Sequence, residues 1–282
     1  MLKRLKIAIV TDSTADIPLN DQEAYQIEVI PAVLTLDGQT YMDGQDLTRT
    51  DFYRRLPSLR KPPTTAAPSI KLFEDTYERL LSSGIERIFS IHLPTTLSSM
   101  LDVATQAAKS FGERVRTFDS GQVSLGTGFQ AIEAASAIIK GASFEAVSET
   151  LKRVKENIRL IALIDTLEFL KRSGRIGWLS AGLGNLLQIK IVLELFNGVV
   201  TRLGQVRTRG KGIGQLEQIA QSWGVLDRMA VAHSSISEEA ENFGEKIRHL
   251  CITQPLVIDV TTAIGAHIGP RALGIIGLRQ MG

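Results

Sequence analysis

Short apolar runs alternate with amphipathic stretches along the first half of the chain. Residues 6–10, 29–36, 87–91 and 115–118 are rich in Ile, Val and Phe and end on turn residues. Such runs predict strands buried on both faces, as in a parallel sheet. Between them, 21–25, 70–81, 99–111 and 126–140 carry helical patterns, and 143–157 adds a further amphipathic helix with Ser143 as its N-cap. Strand and helix in repetition predict an α/β layer, a Rossmann-like parallel sheet with helices on both faces. The pattern changes near residue 160. Strands are predicted at 160–164, 228–233, 256–260 and 274–278, and helices at 165–172, 213–223 and 237–250. Two β-rich runs, 191–196 and 199–203, flank Asn197-Gly198, a strong hairpin signal. A hairpin among helices predicts an α+β domain with a mixed sheet. The expected organisation is therefore an N-terminal α/β domain over 1–160 and a C-terminal α+β domain over 161–282. Lys61 to Ser69 is the one Pro-rich loop.

Composition narrows the function classes. Hydrophobic residues make up 44% and charged residues 22%, which excludes a disordered chain. Lys plus Arg number 32 against 30 Asp plus Glu, so the net charge of +2 leaves no footprint for nucleic acid or an anionic membrane. Cys251 is the single cysteine, which excludes a disulfide framework and a thiolate zinc site. The apolar run 7–10 is shorter than the roughly seven residues a signal peptide needs. No window approaches the roughly 18 apolar residues of a membrane span. These features predict a soluble, cytoplasmic protein with no cofactor or metal.

Catalytic templates do not fit. A P-loop ending at Gly210-Lys211 requires Gly where Gln205 stands, and no Gly-x-Gly-x-x-Gly follows the first strand. Gly121 to Gly126 misses the nucleophile elbow by one residue. His92, His233, His249 and His267 have no metal-ligand spacing, and His249 reads as a surface or half-buried histidine. Asp12 and Asp16 read as turn residues before they read as a catalytic pair. What remains is a set of hydroxyl-rich turns: Ser13-Thr14, Thr64-Thr65, Thr95 to Ser99, and Ser120. Each follows a predicted strand or precedes a predicted helix. In an open parallel sheet ligands bind beyond the carboxyl ends of the strands, and a helix N-terminus holds anions. Thr65 and Ser98 could converge on one carboxylate. By chemistry alone, simple N-caps explain the same residues.

Several motifs in order carry a resemblance. They are Ile9 to Asp16, Val29-Ile-Pro31 with Asp37-Gly38 and Tyr41-Met-Asp43, Pro63 to Ser69, Ile91 to Ala104, Val115 to Gly128, Asp165 to Ile176, and Gly265 to Pro270 with Leu273-Gly274. Together they resemble the DegV family of bacterial fatty-acid-binding proteins over nearly the whole chain. The resemblance implies a long-chain fatty acid, palmitate among them, in a tunnel between the two domains. It implies a non-catalytic subunit, mostly treated as monomeric, that presents the carboxylate to a separate ATP-dependent kinase. By position, Thr65 and Ser98 hold the carboxylate through their hydroxyls and Ser99 through its backbone N–H. The resemblance also places Arg175 and His267 near the mouth, His267 as a further carboxylate contact and Arg175 as a contact for the acyl phosphate or the kinase, and a cation there keeps the ligand ionised. Arg202, Arg207, Arg209 and Lys211 form a basic stretch. A solvated face explains it, and a kinase or acyl-phosphate contact through Arg207 is the sharper alternative. Three positions depart from the family pattern: Ala66-Ala67 replace Ser-Gln, Ser99 replaces Gly, and Ile191 replaces the Pro after Lys190. Two other classes stay open. One is an enzyme acting on a small phosphorylated or acylated substrate through Asp12, Ser13, Arg175 and His267. The other is a partner for another protein.

Overall fold

A computed structural model describes residues 6–175, 177 and 189–280. The first strand, β1 (Ile7–Asp12), is central in a parallel four-stranded sheet ordered β2-β1-β6-β7, with β2 at Ile27–Ile30, β6 at Arg87–His92 and β7 at Val115–Asp119. Side chains alternate across this sheet. Ala8, Val10 and Ile88 pack with α3 (Ile70–Ser82) and α4 (Met100–Ala108). Ile9, Phe89 and Ile91 point the other way, toward α5 (Leu125–Ile139) and α6 (Phe144–Asn157). The expected helices on both faces are present.

The second sheet is mixed and six-stranded, ordered β10-β9-β8-β13-β11-β12. Its members are β8 (Ile158–Ile164), β9 (Lys190–Phe196), β10 (Val199–Val206), β11 (Leu226–His233), β12 (Leu256–Asp259) and β13 (Leu273–Arg279). Only β11 and β12 pair in parallel. The Asn197-Gly198 hairpin joins β9 to β10 as expected, with positive φ at both turn residues. One face of the sheet meets α5 and α6 through Leu160, Ala230 and Ile276. The opposite face packs Ile161, Leu163 and Val231 against α8 (Arg209–Ser222) and α9 (Ser237–Ile247). The order of layers is therefore helix, sheet, helix, sheet, helix, and α5 lies between the two sheets.

The structure corrects several expectations. The strand expected at 29–36 is two strands, β2 and β3 (Val33–Leu36), separated at Pro31 and Ala32. Pro31 has no N–H for a ladder, and the Ala32 N–H turns to Ser13 Oγ at 3.0 Å. Asp37-Gly38 does not merely close that run but turns it back into β4 (Gln39–Met42). The Pro-rich loop holds a short strand, β5 (Thr64–Ala66), paired to β3. Two helices were not expected, α2 (Arg49–Arg55) and α10 (Thr262–Ile268). Helix α8 starts four residues before the expected 213, because its first turn is the Gly-rich Arg209-Gly-Lys-Gly212. Helix α7 is short, Glu168–Arg172.

Candidate functional site

Short elements and one turn deliver the polar residues. Strand β5 presents Thr65 opposite Leu34 of β3. The turn between β6 and α4 presents Ser98 and Ser99. Ser98 Oγ accepts the Met100 N–H at 3.2 Å, so its own proton is free to donate elsewhere. Ser99 occupies the N-cap of α4, where backbone N–H groups have no intrahelical acceptor. Helix α10 presents His267 in its last turn. Arg175 follows α7 beyond Gly174, and its guanidinium donates to the Ser173 carbonyl at 2.8 Å. Thr14, Thr65, Ser98, Ser99, Arg175 and His267 line one cavity of about 740 Å³ between its walls.

Within it, Thr65 Oγ1 lies 2.7 Å from His267 Nε2. The other ring nitrogen, Nδ1, is buried without a protein partner. Burial, and then the Arg175 charge, push the His267 pKa down to about 4. The imidazole is therefore neutral at pH 7, and Arg175 is the cation of this cavity. Hydroxyls, a helix N-terminus and one guanidinium make a site for a small anion.

A second cavity, of about 760 Å³, adjoins the first. The two share Leu97, Val123, Ile264 and Ile268 as walls. Ala162, Gly274 and Ala232 sit directly opposite one another on β8, β13 and β11, and they line this cavity as a row of small residues. Leu160 and Ile276, also paired, form the next row along. The lining is almost wholly apolar. A third space, about 1350 Å³, lies between the β1–α1 turn and β12, where α1 is Leu19–Tyr25. Its buried carboxylates, Asp16 and Asp43, are already engaged with protein donors.

A hydrogen-bonded Ser–His–Asp chain exists elsewhere, unforeseen from sequence. Asp12 Oδ2 lies 2.6 Å from His92 Nδ1, and Ser90 Oγ lies 2.7 Å from His92 Nε2. Tyr77 donates to Ser90. All four side chains are buried, and among the described residues none of them lines a cavity given above. The Thr65–His267 pair lacks an orienting carboxylate, and a base with a pKa near 4 is weak at neutrality. Neither arrangement supplies an activated nucleophile.

The remaining sequence candidates separate clearly. Asp12 caps the turn after β1 by accepting from the Thr14 N–H, so the turn reading of that residue stands. Ser13 is turned to Asp43, at 2.6 Å, and away from the cavity. Ser120 is buried against Gln122 and Thr127. His249 is exposed. Arg207 is exposed past the end of β10 and lines neither cavity, a position open to a partner and apart from the head-group residues. The basic stretch around it is not one solvated face, since Arg209 is ion-paired with Asp165 and Glu239. Ile176, the last residue of the 165–176 motif, lies outside the described residues. Among the described residues no three His, Cys, Asp or Glu side chains gather to hold a metal, and no helix is long and apolar enough to cross a membrane.

Comparison with known proteins places this geometry. A family model described as "Uncharacterised protein, DegV family" matches residues 6–280. A DegV domain-containing protein of Streptomyces coelicolor is 34% identical over 275 residues, covering 96% of this chain and 97% of that protein. The structure is similar to that of a fatty-acid-binding DegV family protein from Thermus thermophilus, with a TM-score of 0.91 and 30% identity over 98% of this chain and 100% of that one. It is also similar to DegV of Bacillus subtilis, described as a fatty acid binding protein, with a TM-score of 0.87, 31% identity and the same coverage.

Proposed function

Because the chain belongs to the DegV family, we propose that it binds a long-chain fatty acid, with the carboxylate in the polar cavity and the tail in the apolar one. One observation carries the reading: an anion-holding pocket and an apolar pocket share Leu97, Val123, Ile264 and Ile268. The ligand described for the Thermus and Bacillus proteins supports the same class. Thr65 and Ser98 donate hydroxyls to the carboxylate, and Ser99 donates its backbone N–H. Neutral His267 donates its Nε2–H to Thr65 Oγ1, which leaves the Thr65 proton for the carboxylate, and Arg175 supplies the charge that keeps the ligand ionised.

Energetics favour this arrangement. A tail of about 16 carbons contributes roughly 0.8 kcal/mol per buried CH₂, more than ten kcal/mol in gross terms. The tail needs no charged wall, and the apolar cavity offers none. Ala66 and Ala67 also line the polar cavity, so the head group relies on fewer side-chain donors there than the family pattern provides. The two cavities together form a channel between an N-terminal domain, ending near residue 160, and a C-terminal domain. The carboxylate lies at the polar end of this channel, where a separate ATP-dependent kinase phosphorylates it. The chain acts as a non-catalytic, monomeric, cytoplasmic carrier of that substrate.

Native mass spectrometry of the purified protein, then denaturation and lipid extraction, tests the reading. A single bound mass matching a fatty acid of about 14–18 carbons is expected. An empty protein that takes up neither palmitate nor oleate overturns it.

A further inference from the structure

The sequence motifs around Asp16 and Asp43 have no part in the reading above, yet both carboxylates reach the same element. Helix α10 lines the two cavities at once, through Ile264 and Ile268 in both and His267 in the polar one. Its start is held from the other domain. The Thr261 N–H donates to Asp16 Oδ1 at 2.9 Å, across 245 residues of sequence. The Thr262 N–H donates to Asp43 Oδ1 at 3.1 Å, across 219 residues, and the Thr262 hydroxyl donates to the same oxygen. The second oxygens are used as well. Ser124 donates to Asp16 Oδ2 and Ser13 to Asp43 Oδ2, each at 2.6 Å.

These bonds matter because of where they sit. The first N–H groups of a helix have no partner within it. Asp16 and Asp43 are 4% and 3% exposed, so no bulk water replaces either carboxylate. A helix of seven residues has almost no stability of its own. Its far end meets Thr65, which lies on β5. Asp43 directly follows β4, and β4 and β5 flank β3 in one three-stranded sheet. That sheet therefore fixes both ends of α10, one through Asp43 and the other through Thr65.

We propose that Asp43, assisted by Asp16, is a positioning residue of the carboxylate pocket: it anchors the start of α10 and so sets His267 against Thr65. The binding arm of the test rests on the fatty-acid reading, whereas the spectroscopic arm does not. The variants are Asp43→Asn and Thr262→Val, the second keeping the backbone bond and the fold if the first does not. In ligand-free protein, the His267 imidazole NMR signals are expected to shift in both variants. Affinity for palmitate is expected to fall about tenfold, and affinity for cetyl alcohol by less than about twofold, since the alcohol asks little of the anion pocket. Thr262→Ser should restore both readouts. Unshifted His267 signals overturn the proposal, and so do equal losses for acid and alcohol, which mark general loosening. If wild-type protein binds neither lipid, the fatty-acid reading fails, and the His267 signals still decide the role of Asp43.

Discussion

In the proposed head-group site Ser98 and Thr65 each offer a single hydroxyl, so each can be tested by removing it. Ser98→Ala takes one donor from an ionised partner, a loss of about 1.5–3 kcal/mol. Fatty-acid affinity should fall roughly 10- to 100-fold in a displacement titration, and unchanged affinity would remove Ser98 from the site. Titration gives two further tests with opposite signs. Burial raises the Asp16 pKa to about 7 against the opposing pull of Arg49, Ser124 and Thr261, with Asp43 raising it further. A carboxyl raised in the folded state contributes stability that is fully present below its unfolded pKa, about 3.9, and lost as pH rises through the folded value. The Asp16 contribution should therefore decline between about pH 4 and 7, read as the difference in thermal stability between wild type and Asp16→Asn at each pH, because His267 acts with the opposite sign over part of that range. His267 is lowered instead, to about 4, so its contribution is present above pH 6.5 and lost as pH falls through 4. NMR titration should find its ring neutral down to about pH 5. A ring titrating near its ordinary value would show that it is far less buried than the structure has it.

Elements explain which parts of the chain could be read locally. Long amphipathic helices carry their own pattern, and α3, α5 and α6 lie within two residues of the expected bounds. Helix α10 has no such pattern, because Thr262, Ala263, Gly265 and Ala266 are all buried and the polar face is missing. Strand β4 was hidden for the opposite reason: its first two residues are exposed, so no apolar run marks it, and the Asp37-Gly38 turn before it is the one local signal that could have found it. Strand β5 is three residues of Thr-Thr-Ala, a strand only because β3 is there to pair with it. Close packing between elements was equally illegible. A Cβ on Gly128 of α5 would stand 2.6 Å from the Ala15 carbonyl oxygen, in the turn after β1. Gly128→Ala should then destabilise the protein by about 1–3 kcal/mol through forced separation of helix and turn. Denaturant unfolding measures this, and an unchanged midpoint would contradict the contact.

At the scale of the whole molecule, the apolar cavity exists because small residues from three strands fall in register. Ala162, Gly274 and Ala232 leave space that Leu160 and Ile276 close one row away. Ala162→Leu should fill part of that space. Palmitate affinity should fall at least tenfold, while the ligand-free melting temperature holds or rises, because filling a cavity adds contacts without removing any. Isothermal titration and a thermal melt of the same sample separate the two effects. A variant that binds palmitate normally would place the tail elsewhere. By itself the sequence determined the two-domain α/β architecture, most of the strands and helices, and the hydroxyl-bearing turns, since period, caps and turn chemistry are properties of neighbouring residues. Strand order and helix docking decided the rest. They brought Thr65 within 2.7 Å of His267 across 202 residues of sequence. They buried the Ser90–His92–Asp12 chain, left Arg207 outside, and laid an apolar cavity against a polar one. Those outcomes depend on contacts between distant segments, and no local pattern encodes which distant segments will meet.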